Sequence, residues 1–317
     1  MLKFRLSSTL TKNLKTNFTF RSLSENEREQ AVHFIEYREI ECTALMEELL
    51  SGAENLFVLE NKQNKKFCAL FNIRNESTLL HFIPFLTEEK NPDYNFSLEQ
   101  LKEIREVVTQ FILSQKIFCV YGEHFGTEYI KAILTSNGKD LIAANDYILM
   151  RNDLTSEIFS GDIRVKDNWK NLNVRKCSLE DSSNLMELER GYRNEEISIL
   201  EHRESDMVIQ FVLNKALRAQ IIFGAYIFDK GKLRAVAKAA TNGRGKNFYQ
   251  IGGVYCDKDF RNNGIANYVM QHLLRFIKAE GKNENLFVKV KNEPAKKLYG
   301  NLGFIPTGKY QISYFQK

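Results

Sequence analysis

The residues best placed to do chemistry follow a strand-like segment near the end of the chain. Ile251–Tyr255 is apolar, and after a polar turn the run Arg261-Asn262-Asn263-Gly264-Ile265-Ala266 leads into an apolar-periodic helix. The first turn of a helix leaves backbone N–H groups without partners, and the macrodipole adds positive potential there. Gly264 allows close approach of the backbone to a ligand, and Arg261 adds a cation. The pattern predicts a loop that binds a pyrophosphate group.

A second group of polar residues begins about thirty positions further on. Asn292-Glu293-Pro294-Ala295 opens a short helix that contains Tyr299 and stops at Gly303. Each residue also has an ordinary structural role. Asn292 is a good N-cap without any ligand, Tyr299 suits a small core, and Gly264 suits a strand-to-helix turn.

The predicted strands and helices that must position these residues occur in the same order twice along the chain. The first half reads β-α-β-β-β-α-β-α-β from Asn17–Ser22 to Tyr147–Arg151, and the second half repeats this order from Leu172–Cys177 to Gly308–Phe315. Residues 153–172, which include Trp169, lose the pattern. We therefore predict an α/β protein with domains at 1–152 and 173–317, joined by a linker at 153–172.

The two halves differ where the second half has its phosphate loop. In the first half the corresponding segment Leu86–Asp93 has no glycine and carries three acidic residues. Because an acidic loop repels phosphate, we expect the first half to keep the architecture without a phosphate site.

Bulk properties exclude several classes of protein. The chain has 317 residues, 43% of them apolar, and a net charge of +5, with no dense Lys/Arg block of the kind that binds nucleic acid. Five scattered cysteines show no metal-ligand spacing, so we expect reduced thiols, no metal and a cytoplasmic location. No apolar run reaches the ~20 residues of a membrane helix. The basic, Ser/Thr-containing first 24 residues resemble a weak transit peptide, but we favour a basic extension or edge strand.

Together the two motifs resemble the GNAT superfamily of N-acetyltransferases. Arg261–Ala266 after the strand matches the family's [Q/R]-x-x-G-x-[G/A]. Asn292–Phe304 is close to its N-x-x-A-x-x-L-Y-x-x-x-G-F. The match is clear over about Lys232–Tyr310 and rests on element order alone in the first half. It implies two tandem GNAT-like domains, each a mostly antiparallel central sheet flanked by helices, of which the second is catalytic and the first degenerate.

The resemblance implies an acetyl-CoA site in the second half. The backbone of Val254 and Tyr255 would pair with the pantetheine arm, Asn292 would face the thiol end, and Tyr299 would lie near the sulfur as general acid. The amides of the loop would hold the pyrophosphate, and these residues are Arg261, Asn262, Asn263, Gly264, Ile265 and Ala266.

The general base is harder to assign. Many family members place a glutamate on the cofactor strand, but Phe248–Tyr255 contains no acid, and Gln250 cannot take a proton. A polar cluster before the sheet contains Tyr192, Glu195, Glu196, His202 and Glu204. From it we name Glu195 and Glu196 as base or substrate contacts. A solvated helix face and a water-mediated deprotonation are alternatives.

The sequence thus predicts an acetyl-CoA-dependent N-acetyltransferase that acts on an amine of a small molecule or peptide by direct attack on the thioester. We expect a monomer with pseudo-dimeric domains, or a homodimer, with no nucleic-acid or membrane partner. A second hypothesis is a non-catalytic acyl-CoA-binding sensor, which the missing strand acid supports. A third is a tandem aminoacyl-tRNA-dependent transferase, which would need a basic RNA-binding face and no intact CoA loop.

Overall fold

The first half of the chain has the predicted order of elements. The computed structural model describes residues 16–86, 92–152, 172–197, 204–229 and 231–316. The strands of the first half are β1 (Phe18–Ser22), β2 (Leu56–Asn61), β3 (Phe67–Arg74), β4 (Thr78–Phe82), β5 (Cys119–Glu123) and β6 (Leu141–Asn152). Its helices are α1 (Arg28–Glu36), α2 (Thr43–Leu50), α3 (Leu98–Leu113) and α4 (His124–Ser136). Strand β6 begins six residues before the predicted start at Tyr147.

The second half repeats this order, as the sequence predicted. Its strands are β7 (Asn173–Lys176), β8 (Ile222–Asp229), β9 (Lys232–Arg244), β10 (Phe248–Cys256), β11 (Asn283–Lys289) and β12 (Phe304–Phe315). Its helices are α5 (Ser182–Tyr192), α6 (Asp206–Ala219), α7 (Ile265–Ala279) and α8 (Glu293–Asn301). Helix α5 continues into a π-helical turn at Arg193–Ile197.

The described strands form one continuous sheet in which the two halves exchange their last strands. The strand order is β1-β2-β3-β4-β5-β12-β6-β11-β10-β9-β8-β7. Strand β12 pairs antiparallel with β5 of the first half, and β6 pairs antiparallel with β11 of the second half. The two exchanged strands pair with each other along their length, with Tyr310 opposite Tyr147. The α/β tandem fold was predicted, whereas the exchange was not.

Each half keeps its own apolar core, and a short segment of the first half packs on the sheet of the second. The fully buried Ile265, Val269 and Leu273 of α7 cover the sheet of the second half. The carboxylate of Glu39, which is 1% exposed, accepts hydrogen bonds from the backbone N–H groups of Asn247 and Phe248 at 2.9–3.0 Å. This contact fixes the β9–β10 turn against the first half.

Several predicted features lie outside the described residues. They are the first 15 residues, most of the acidic loop (87–91), nearly all of the linker with Trp169 (153–171) and His202. The domain boundaries therefore stay predictions. Among the described residues, no helix is both long and apolar enough to cross a membrane.

Candidate functional site

The candidate site begins where strands β10 and β11 part. They pair in parallel from Phe248–Ile251 with Asn283–Leu286. Beyond Ile251, β10 departs from regular pairing with β9 between Gly252 and Tyr255, and Gly253 has a φ of +60°. Glycine adopts this left-handed backbone conformation inside a strand without strain, because it has no Cβ atom. The pairing of β10 with β11 ends at Ile251, so the backbone of β10 at the bulge is not paired with β11.

The predicted phosphate loop has the conformation that its sequence requires. Gly264 is the N-cap of α7 with a φ of +81°, and Asn262 has a φ of +62°. A Cβ atom added at Gly264 would meet nothing within 4 Å, so the backbone conformation, rather than lack of space, calls for glycine. Within the described chain no side chain caps the N-terminus of this helix of 15 residues. Its first N–H groups are therefore available to an anion.

A cleft of about 460 Å³ opens in front of this loop. We call it the C-terminal cleft. Its walls contain these predicted cofactor contacts: Val254, Tyr255, Arg261, Asn262, Gly264, Ile265, Ala266, Asn292 and Tyr299. Asn263 is the one predicted contact that does not line it, because its side-chain amide donates to the backbone carbonyls of Phe260 and Arg261 at 3.2 and 3.1 Å.

Asn292 and Tyr299 reach the cleft from helix α8. The Asn292 side chain caps this helix by accepting from the Ala295 N–H at 3.1 Å, and its amide donates to Glu196 at 3.1 Å. Tyr299 is 9% exposed. Burial, together with the nearby Tyr192 and the Glu196 carboxylate, raises the pKa of its phenol well above the ordinary value. Tyr299 therefore keeps its proton at neutral pH.

Glu195 and Glu196 both lie in the C-terminal cleft. Glu195 accepts from the Tyr255 hydroxyl at 2.8 Å and forms an ion pair with Arg261 at 2.7 Å. Despite partial burial, the hydrogen bonds from Arg261 and Tyr255 hold the pKa of Glu195 below its ordinary value. Glu196 pairs with Lys289 at 3.1 Å. One carboxylate thus occupies the predicted pyrophosphate end of the cleft and the other its thiol end.

The structure adds Lys238 and Glu189, which the sequence did not reveal, beside Tyr192 of the predicted polar cluster. Lys238 of β9 forms a buried ion pair with Glu189 of α5 at 2.8 Å, and its Nζ lies 4.7 Å from the centre of the Tyr192 ring. Burial, with the neighbouring carboxylates of Glu189 and Glu196, raises the pKa of Tyr192 to about 12, while a hydrogen bond from the Gly253 backbone acts in the opposite direction. Glu189 and Tyr192 share α5, but Lys238 lies far along the chain on β9, so no spacing in the sequence reveals this contact.

The equivalent gap in the first half is filled by a histidine. Strands β4 and β5 pair from Thr78 to Leu80, and the next residue, His81, is 3% exposed. A Cβ atom at Gly122 or Gly126 would lie 2.5 Å from its ring. The ring bonds Thr127 at 2.8 Å, and burial lowers the pKa of His81 to about 3. In the first half a neutral, tightly packed His81 ring therefore lies at the position that corresponds to the bulge of β10 in the second half.

The chemistry of the C-terminal cleft fits CoA. Its loop end offers N–H donors and Arg261 to phosphate oxygens, as an anion site at a helix N-terminus requires. Its middle offers the bulged backbone of Val254 to a strand-like arm. Its other end presents the Tyr299 phenol and the Asn292 amide to a thioester.

Comparison with known proteins agrees with this geometry. Residues 184–304 match the family model described as acetyltransferase (GNAT) family. A search of curated proteins by sequence gives no match.

Several solved structures resemble nearly the whole chain in fold. A Drosophila protein has a TM-score of 0.63 at 13% identity, covering 93% of this chain and 98% of its own. A GCN5-related N-acetyltransferase from Sphaerobacter thermophilus has a TM-score of 0.57 at 14% identity, covering 94% and 95%. A tandem GNAT protein from the clavulanic acid biosynthesis pathway has a TM-score of 0.56 at 10% identity, covering 93% and 97%.

At these identities the similarity concerns the fold alone, and it extends over both halves. The sequence match and the cleft concern the second half. Residues 184–304 are therefore a domain of the GNAT family, whose members are in general acyl-CoA-dependent acetyltransferases, set within a tandem GNAT fold.

Proposed function

We propose that the protein is an acetyl-CoA-dependent N-acetyltransferase with one cofactor site, in the second half. The observation that carries this proposal is the single C-terminal cleft that joins the loop Arg261–Ala266 to Asn292 and Tyr299 across the bulge in β10. A phosphate cradle alone suits many nucleotides. A cradle joined to an open strand and a buried phenol suits the chemistry of a CoA thioester.

The reaction would be direct transfer to an amine. The neutral amine attacks the thioester carbonyl carbon, the C–N bond forms, and the C–S bond breaks with release of the thiol. The ammonium must first lose a proton. After the attack the nitrogen loses a second proton and the departing thiolate gains one from Tyr299, the proposed donor, so that the nitrogen's proton restores the phenol. A backbone N–H near Val254 would stabilise the developing oxyanion.

The proposed base is Glu195 or Glu196, and their positions favour Glu196. Glu196 lies beside Asn292 and acts on the Tyr299 phenol, so it is at the thioester end of the cleft. Glu195 is engaged by Arg261 at the pyrophosphate end. The Glu196 carboxylate could equally bind the substrate rather than act as the base. In that case water would carry the amine proton away.

The test is release of free thiol from acetyl-CoA in the presence of a panel of amines. In Tyr299→Phe we expect kcat to fall about 100-fold, because a positioned acid contributes roughly 10²–10⁴-fold, while the dissociation constant for acetyl-CoA is unchanged. The matched control is Tyr268→Phe on α7, a tyrosine outside the cleft lining. An unchanged kcat in Tyr299→Phe would remove Tyr299 from the mechanism.

A second candidate function is that of a non-catalytic acyl-CoA sensor. One observation favours it: β10 carries no carboxylate between Phe248 and Cys256, and Glu195 is tied to Arg261. Tight binding of acetyl-CoA without thiol release from any amine, and without any effect of Tyr299→Phe, would favour the sensor over the transferase.

A further inference from the structure

A second cavity, of about 480 Å³, lies between the two halves on the other side of the bulge. We call it the inter-half cavity. From the first half and the exchanged strand it is lined by Arg74, Asn75, Thr78, Cys119, Tyr121, Ile312 and Tyr314. From the second half it is lined by helices α5 and α6, the π-helical turn after α5, and strands β8, β9, β10 and β11. Neither half alone encloses this space.

The inter-half cavity and the C-terminal cleft meet at the bulge of β10. Gly253 lines the cavity, and the next residue, Val254, lines the cleft. Tyr192 of the cavity wall lies 6.4 Å, between ring centres, from Tyr255 of the cleft wall. The two spaces therefore adjoin at the part of β10 where the thioester is proposed to bind.

One cation of the cavity lining has no carboxylate partner among the described residues. Four cationic side chains line the cavity: Arg74, Arg193, Lys215 and Lys238. Three of them are held by carboxylates: Arg74 by Glu47 and Glu48, Arg193 by Glu204 and Glu189, and Lys238 by Glu189 at 2.8 Å. Lys215 is therefore the cation that remains for a ligand.

Two donors at the cavity lack a strong acceptor. Gln250, which is 2% exposed, lines the cavity, and its buried Nε2 has no hydrogen-bond partner among the described residues. An unmet donor of this kind is costly and calls for a ligand oxygen. Lys215 on α6 is exposed, and among the described residues its ammonium group donates only to the amide oxygen of Asn75, at 3.4 Å. A buried amide donor and a cation without a carboxylate partner in the same lining favour a carboxylate ligand.

We propose that the inter-half cavity is the acceptor site and that it selects amines which also carry a carboxylate, that is, amino-acid-type acceptors. This inference rests on the proposed function. Lys215 and Gln250 bind the carboxylate, and the first half contributes Arg74 and Asn75 to the same wall. The aromatic rings of Tyr121, Phe287 and Tyr314 accept the apolar part of the acceptor.

The step balances without any further reactant. The acceptor enters as a zwitterion, loses one ammonium proton to solvent or base, and attacks through its neutral amine. The products are the N-acetyl amino acid, free CoA thiol and one released proton. The carboxylate of the acceptor is unchanged throughout, so its role is in binding alone.

The test compares pairs of amines in which one member carries a carboxylate and the other carries a carboxamide in its place. The pairs are L-alanine with L-alaninamide, L-phenylalanine with L-phenylalaninamide, and 4-aminobutyrate with 4-aminobutyramide. Binding is measured by ligand-observed NMR on the full chain without acetyl-CoA, and transfer is measured by thiol release with acetyl-CoA. Binding does not need chemistry, so it separates this inference from the proposed function.

The variant is Lys215→Gln, with Arg218→Gln as control. Arg218 lies on the same helix, α6, but not in the cavity lining. Each of the two changes removes one positive charge. We expect Lys215→Gln to raise the KM for the acids about fivefold to tenfold, with kcat unchanged and the amides unaffected. Arg218→Gln should change neither.

The expected result is at least one acid that binds and reacts about tenfold better than its amide, with this preference reduced in Lys215→Gln. Binding of an acid without any transfer supports the acceptor site and contradicts the transferase function. Equal use of acids and amides overturns the inference while leaving the transferase intact. Absence of binding and transfer for all three acids also overturns it.

Discussion

At the scale of the residue, Gly264 shows how a motif converts into geometry. Its φ of +81° lets the chain turn from the loop into α7 and aim uncapped N–H groups into the C-terminal cleft. The sequence predicted this arrangement because loop, glycine and helix are contiguous. It did not reveal Lys238, Glu189 and Gln250 as site residues, because they come from three separate elements and meet only when the sheet forms.

The Gly264 account predicts a specific loss of cofactor binding in Gly264→Ala. An alanine at positive φ is strained by about 1 kcal/mol, and it disturbs the amides that hold phosphate. We expect the affinity for acetyl-CoA to fall about tenfold or more, measured by calorimetry. The control is Gly281→Ala at the other end of α7, which has a φ of +69° and equally open space. It should lose similar stability, measured by thermal unfolding, and no affinity. Equal losses of affinity in both variants would contradict the cradle.

Glu195 supports a second prediction at this scale. Its carboxylate sits on Arg261, where a phosphate is proposed to bind, and the hydrogen bonds from Arg261 and Tyr255 keep it ionised at neutral pH. Like charges repel, so Glu195→Gln should bind CoA about twofold to fivefold more tightly, as expected for a partly exposed charge. Glu187→Gln, on the exposed face of α5, should have no effect. Weaker binding in Glu195→Gln would show that this carboxylate helps to hold the cofactor.

At the scale of the element, the short helices after β5 and β11 explain why the halves differ. The last residue of β5 paired with β4 is Tyr121, and α4 begins three residues later, at His124. The last residue of β11 paired with β10 is Leu286, and α8 begins seven residues later, at Glu293. The longer connection leaves room for a cleft, and the shorter one packs α4 onto His81. The order of these elements was predictable from periodicity, but the contact with His81 was not, since it depends on how the strands align.

Glu123, the N-cap of α4, predicts a pH dependence of stability. Its carboxylate accepts from the Gly126 N–H at 3.0 Å, and burial raises its pKa from 4.5 to about 7. Between these values the folded chain holds a proton that the unfolded chain has released, so the free energy of unfolding falls as pH rises. Glu123→Gln keeps the cap and removes the titration, and its stability should therefore fall less between pH 4.5 and 7. Denaturant unfolding across this range is the measurement.

The control for Glu123 is Glu99→Gln, an exposed change in the first turn of α3. It should follow the wild-type pH profile. Parallel profiles of wild type and Glu123→Gln across pH 4.5–7 would contradict the raised pKa of this carboxyl.

At the scale of the whole molecule, the exchange of β6 and β12 makes the two halves one structure. The exchanged strands bring Tyr314 and Ile312 of the second half beside Tyr121 of the first, so the inter-half cavity exists only in the joined sheet. The repeat of elements was visible in the sequence. The exchange was not, because β6 and β12 each have a hydrophobic pattern that fits a place in either half.

We propose that this joined molecule has one cofactor site, in the second half. Titration of the full chain with acetyl-CoA by isothermal calorimetry tests it most directly, with Gly264→Ala as the variant that damages the proposed site. We predict one acetyl-CoA per chain for the wild type and a much weaker single event for the variant. Two equal sites, no binding at all, or a variant that binds as tightly as the wild type would contradict the claim.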